Sequence, residues 1–148
     1  MRLNFNREMK SMAILNYLTE IEQIYKSGIA TEHGFRANLQ NLVRALVTGI
    51  LVINEPKRQE CGSPDFVLIK NNIPVGYIEA KDIGDSDLEG VKKSGNKEQF
   101  DRYKSSLNNL IFTDYLRFYL YRDGEFITKI SIAEIVGKSI KPLTENFT

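Results

Sequence analysis

Apolar positions recur at helical spacing over the first third of the chain and in short β-branched runs over the rest. From about Glu8 to Lys26, Ile14, Leu18, Ile21 and Tyr25 predict an amphipathic helix, with Gly28 as its C-terminal cap. Met12 is an alternative start. Thr31 then reads as an N-cap, and Phe35, Leu39, Leu42, Val43 and Leu46 form the apolar stripe of a second helix that stops before Gly49. Ile50 to Ile53 predicts a strand running to about Pro56, and the polar stretch Arg58 to Pro64 predicts a loop. Asp65 to Ile69 and Pro74 to Lys81 read as the two strands of a hairpin, joined by the turn residues Lys70-Asn71-Asn72. Asp82 to Asn96 is rich in Gly, Asp and Ser and predicts a loop, with a short helix within it as the alternative. A helix follows over Lys97 to Leu107 with Phe100, Tyr103 and Leu107 inward, then strands at Leu110 to Thr113, Leu116 to Tyr121 and Glu125 to Ile132. Asp123-Gly124 is a strong hairpin signal between the last two.

This order predicts an α/β domain with a central mixed β-sheet flanked by helices. A length of 148 residues suits one domain with a real core. The boundaries predicted are an N-terminal helix over 1–28, a core over 31–132, and residues 133–148 as the start of a connection to a further domain. The last segment completes no helix and leaves Phe147 hanging, and a frayed natural terminus is the alternative.

Composition narrows the chemistry. The chain is 42% hydrophobic and 26% charged, with no run near the roughly 20 apolar residues that span a bilayer and no apolar signal-peptide region, so a membrane role is not expected. One cysteine, Cys61, forbids an internal disulfide and fits a reducing, cytoplasmic setting; we read it as a packing residue. One Cys and one His exclude a finger-type zinc site, so any metal must be held by oxygen. A net charge of +1 is no bulk footprint for nucleic acid. The basic residues are local: Lys57-Arg58, Lys92-Lys93, and Lys97, Arg102 and Lys104, each of which alone reads as a solvated face. No phosphate-binding Gly-rich motif is present.

The chemistry concentrates at Pro64-Asp65 and Glu79-Ala80-Lys81. Side chains i and i+2 of a strand share a face, so Glu79 and Lys81 project together, and the Asn71-Asn72 turn brings Asp65 opposite residues close to Glu79. Asp65, Glu79 and the Ala80 backbone carbonyl make an oxygen half-shell suited to Mg²⁺, with Mn²⁺ as a substitute. Lys81 is then placed to orient or deprotonate an attacking water, or to stabilise the transition state. By average residue usage, such a PD and E-x-K pair arises in roughly one chain in twenty of this size, so it is weak alone. A surface hairpin with a Glu-Lys ion pair is the plain alternative. Buried-strand sequences on both sides of the motif favour the chemical reading. Glu32 falls one turn ahead of the apolar stripe, either as a supporting acid or as a first-turn Glu paired with Arg36. Gln99 and Tyr103 lie four apart on one helix face, placed to touch the site or a DNA phosphate, or to serve as boundary and core. His33 is a candidate DNA contact with no partner for triad chemistry.

At these residues the sequence resembles the PD-(D/E)XK nuclease superfamily, with Gln99-Phe100-Asp101-Arg102-Tyr103 matching the Q-x-x-x-Y motif of its RecB-like branch. The runs TEHGFRANLQNLV, NEPKRQECGSPDFVL, IPVGYIEAKDIG and NLIFTDYLRFYLYRDGE resemble the N-terminal nuclease domain of single-chain restriction-modification enzymes, from about Tyr17 to Ile132. The resemblance implies a restriction-endonuclease-like fold and a DNA endonuclease. Asp65 and Glu79 would be metal ligands, Lys81 the catalytic lysine, Glu32 a supporting acid, and Gln99 and Tyr103 auxiliary. His33, Lys57 and Arg58 stand as DNA-binding candidates. Implied partners are DNA, a linked methyltransferase or specificity module, and a second copy for double-strand cleavage. The rival readings are a catalytically silent DNA-binding or assembly module of the same fold, and an antiphage or repair nuclease with a separate partner.

Overall fold

A computed structural model describes residues 2–57 and 62–148; the side chains of residues 2–5 and of Glu32 lie outside that description. The chain forms two compact units, 1–49 with 131–148, and 50–130.

In the first unit, helix α1 (Arg2–Ser27) starts earlier than the periodicity predicts. No Gly or Pro interrupts residues 2–7, so nothing stops the helix from extending there. Its buried positions are Ile14, Tyr17, Leu18 and Ile21; Tyr17 takes the inward place expected of Tyr25, which is half-exposed near the helix end. Thr31 precedes a 3₁₀ turn (Glu32–Phe35) and makes no side-chain cap, so helix α2 (Arg36–Leu46) begins later than expected. Phe35, Leu39 and Leu42 are buried, whereas Val43 and Leu46 are only half-buried. Helix α1 packs against α2 and against β8 (Ser139–Pro142), which pairs with β7 (Ala133–Val136). The Ile140 N–H donates to the Glu22 carboxylate at 2.8 Å, and the Asn38 amide to Glu20 at 2.7 Å. Residues 133–148, read from sequence as the start of a connection, thus carry a hairpin and a further 3₁₀ turn (Thr144–Asn146). The β7–β8 hairpin leaves no mark in the apolar pattern because each strand has only four residues, too few for a period to register.

The second unit holds a six-stranded sheet in the order β1 (Leu51–Asn54), β2 (Phe66–Lys70), β3 (Ile73–Ala80), β4 (Asn109–Thr113), β5 (Arg117–Arg122), β6 (Glu125–Ser131). β1, β2 and β3 are antiparallel neighbours, β3 and β4 are parallel, and β4 and β5 are antiparallel. A parallel pair needs a crossover, here supplied by residues 81–108 with helix α3 (Lys97–Ser106). Asn71 and Asn72 both take positive φ, 53° and 65°, the backbone of a two-residue hairpin turn whose handedness matches strand twist. Asp123 and Gly124 do the same at 50° and 83°. Helix α3 anchors on the sheet through Phe100, which stacks on Phe112 with centroids 3.5 Å apart, within a core that includes Leu88, Tyr103, Leu107, Leu110, Tyr119 and Tyr121.

Two buried aspartates organise the connections. The Asp114 carboxylate accepts from the N–H groups of Gly84, Leu116 and Arg117 and pairs with the Arg117 guanidinium at 2.9 Å. Asp87 accepts from the N–H groups of Val91 at 2.9 Å, Lys92 at 3.1 Å and Asn96 at 2.8 Å. Burial disfavours the Asp87 charge, but these N–H groups and the Lys92 ammonium outweigh it and hold the carboxyl below the usual carboxylate range. A depressed folded-state pKa means stability that is present above the unfolded value of about 3.9 and is lost as pH falls through the folded value. Asp87→Asn is therefore expected to lower the urea midpoint at pH 7, and the gap from wild type is expected to shrink as pH drops below about 4. Urea titrations of both chains at pH 7, 4 and 3 check this; a gap that stays constant would show that the Asp87 charge contributes nothing.

Candidate active site

The hairpin that carries Asp65 and Glu79 is irregular, and the irregularity sets the site. Near the turn, Lys70 pairs with Ile73 and Ile69 with Pro74; further along, Leu68 pairs with Gly76, Val67 with Tyr77 and Phe66 with Ile78. Val75 is the extra residue of a β-bulge. Pro74 beside it has no N–H to contribute to a regular ladder, which suits a bulge. Continued past Phe66, the shifted register sets Asp65 opposite Glu79, where the unshifted one would set it opposite Ile78. Cross-strand partners share a face of the sheet, so the bulge decides whether the two carboxylates meet.

They meet through a reciprocal clasp. The Asp65 N–H donates to the Glu79 carboxylate at 3.2 Å, and the Ala80 N–H donates to the Asp65 carboxylate at 2.8 Å. Both acids are buried, Asp65 at 9% exposure and Glu79 at 4%. Lys81 lies just beyond β3, its own N–H bonded to the Thr113 carbonyl of β4 at 2.8 Å. Its ammonium stands 3.8 Å from the Glu79 carboxylate, 5.7 Å from the Phe100 ring centroid, and donates to the Gln99 side-chain oxygen at 2.6 Å. The Gln99 amide reaches the Tyr103 hydroxyl at 3.5 Å, and that hydroxyl donates to the Ser63 carbonyl at 3.1 Å. Helix α3 thus touches both the lysine and the segment that leads into Asp65.

Of the residues singled out from sequence, Asp65, Glu79, Lys81, Gln99 and Tyr103 come together. Glu32 and His33 belong to the other unit; His33 is exposed on the 3₁₀ turn, and the Glu32 side chain is outside the described residues. Lys57 is exposed, and Arg58 and Cys61 lie outside the described residues. Sequence reasoning missed the Ser63 carbonyl and the Phe100 face beneath Lys81; only the inward position of Phe100 was legible.

Two buried carboxylates meet here, with the Lys81 ammonium beside Glu79. That donor set, all oxygen, fits a hard divalent cation of the Mg²⁺ or Mn²⁺ type, which needs one or two carboxylates and fills its shell with water. Among the described residues no cluster of three or more acidic, Cys or His side chains occurs.

No family model matches the chain, and no curated protein matches it. Among solved structures it is similar to a cryo-electron-microscopy structure of a DrdV–DNA complex, at 22% identity and a TM-score of 0.63, over 82% of this chain and 12% of that one. The likeness is one of fold: a mixed α/β domain of restriction-endonuclease-like type.

The Tyr103 hydroxyl and ring are separable. Tyr103→Phe should cost about 1 kcal/mol through the lost bond to Ser63. Tyr103→Ala should cost about 3–5 kcal/mol, because the ring is buried in the core of this unit. Urea unfolding of the two variants measures both; equal costs would mean the hydroxyl bond, not the ring, carries the residue's contribution.

Proposed function

We propose that this chain is a divalent-metal-dependent DNA endonuclease domain of the PD-(D/E)XK type, hydrolysing phosphodiester bonds at the open end of the β2–β3 hairpin. The observation that carries the reading is the convergence of Asp65, Glu79 and Lys81 at one buried strand end, with Gln99 of α3 on the lysine. The fold shared with a protein determined in complex with DNA supports DNA as the substrate class.

Asp65, Glu79 and the Ala80 carbonyl would hold the Mg²⁺ or Mn²⁺ ion. Such an ion, when bound, supplies Lewis acidity and neutralises charge developing on the phosphate. The chain's own contribution is positioning and charge. The clasp between Asp65 and Glu79 fixes both carboxylates before substrate arrives, so little reorganisation is left for the reaction. Lys81 is held short of full pairing with Glu79 by the bond to Gln99, which keeps a cation directed at the place where a phosphate oxygen or an attacking water would lie. Burial by the hydrophobic floor of Phe100 strengthens that field.

The wider reading is a cleavage module of a restriction-modification enzyme, working in a reducing cytoplasm with a linked methyltransferase and specificity module, and with a second copy where both strands are cut. It rests on the four sequence runs quoted above and on the small share, 12%, of the DNA-complexed neighbour that this chain spans. Among the described residues no helix is long and apolar enough to cross a membrane.

Nicking of supercoiled plasmid by the purified chain in Mn²⁺ or Mg²⁺ tests the proposal. Cleavage should stop in EDTA, and Lys81→Ala should slow it about 10²–10⁴-fold. Asp65→Ala should abolish it. Cleavage that persists in EDTA, or that is indifferent to Lys81, would rule out this site as its source.

A further inference from the structure

The connection from Lys81 to α3 is built more rigidly than a surface loop requires. It leaves the site at Lys81 and returns to it at Gln99, so both of its ends, and the start of α3 that follows residues 90–96, adjoin the site. At its root, Gly84 donates its N–H to Asp114 at 3.1 Å, and the Arg117 guanidinium donates to the Asp85 carbonyl at 2.7 Å. At its centre, Asp87, 4% exposed, gathers the N–H groups of Val91, Lys92 and Asn96. The Asn96 side chain closes the ring by donating to the Asp85 carboxylate at 3.0 Å and the Asp87 carbonyl at 2.9 Å. Two glycines let the chain wrap this closely: a Cβ at Gly90 would fall 2.5 Å from the Phe100 ring, and one at Gly95 would fall 2.7 Å from the Asp87 carboxylate.

With those N–H groups turned inward onto Asp87, the loop offers a ligand mainly side chains. Between residues 91 and 97 the only charged ones are Lys92, Lys93 and Lys97. Lys97 is engaged with Asp101 at 2.6 Å. Lys92 and Lys93 are exposed, and the Lys92 charge also helps keep the Asp87 carboxyl ionised. Ordering a loop of this length has a large entropy cost, and a scaffold built in advance removes that cost from any binding event.

We propose that residues 90–96 form a preformed DNA-backbone contact in which Lys92 and Lys93 engage phosphates flanking the cleavage site, with Asp87 as the residue that holds the loop in shape. The substrate class rests on the nuclease reading; the contact itself is read from the loop. Lysine contacts of this sort position the duplex without reading its sequence, and each releases counterions.

The test is duplex-DNA binding by the full chain, metal-free in EDTA, by fluorescence anisotropy across a salt series. Lys92→Gln/Lys93→Gln should lower the slope of log affinity against log salt by about two units, about one per lysine. Lys70→Gln/Lys138→Gln removes the same charge from exposed lysines elsewhere and should leave the slope close to wild type. Asp87→Ala should weaken binding several-fold with Lys92 and Lys93 intact, provided its circular dichroism matches wild type. Equal slope changes in both lysine pairs would overturn the proposal in favour of diffuse charge, and so would a wild-type chain that binds no duplex. Because no metal is present, the outcome is independent of cleavage: a chain that binds through this loop yet never nicks plasmid would refute the nuclease reading alone.

Discussion

Between the turn at Asn71-Asn72 and the end of β3, the chain has one residue more than β2 can pair. Val75 absorbs that excess, and the register beyond it moves by one. Because strand side chains alternate faces, one step is the difference between Asp65 meeting Glu79 and Asp65 meeting Ile78. The bonds from the Asp65 N–H to Glu79 and from the Ala80 N–H to Asp65 then hold the register from the far end. The rest of the site follows from that position: Lys81 emerges at the end of β3, beside the Glu79 carboxylate and in contact with α3.

Holding two buried acids side by side is unfavourable unless each is hydrogen-bonded or compensated. The structure divides that task. Backbone N–H groups serve the carboxylates, and Lys81 supplies one cation at a distance that leaves it shared with Gln99. The same device, a buried carboxylate satisfied by backbone N–H groups, recurs at Asp87 and Asp114 in the connections on either side of β4. In each case charge is used to shape irregular backbone that no ladder supports. The aromatic stack of Phe100 on Phe112 fixes α3 on the sheet, and so fixes Gln99 and Tyr103.

Much of this was legible from residues alone. The α/β order, both hairpin turns and the strand pair bearing Asp65 and Glu79 could be read, because turn chemistry and short-range periodicity act within a few residues. Gln99 and Tyr103 were legible as neighbours on one face. Less legible were the 3₁₀ turn before α2, where Thr31 has the chemistry of a cap without making one, and the β7–β8 hairpin, whose four-residue strands are too brief to show a period.

What the sequence by itself determined is therefore local: which segments are helix or strand, where the turns fall, and which acids and lysine end up at adjoining strand ends. What only the tertiary structure decided is every relation that spans the β3–β4 crossover or depends on a register. The bulge at Val75 leaves no periodic trace, since Pro74-Val75-Gly76 reads as ordinary strand. Lys81 and Gln99 are joined because a parallel strand pair forces the chain to cross over and lay α3 back on the sheet. Asp87 reads as one acid among several in a polar loop, and becomes an anchor only when folding gathers three N–H groups around it.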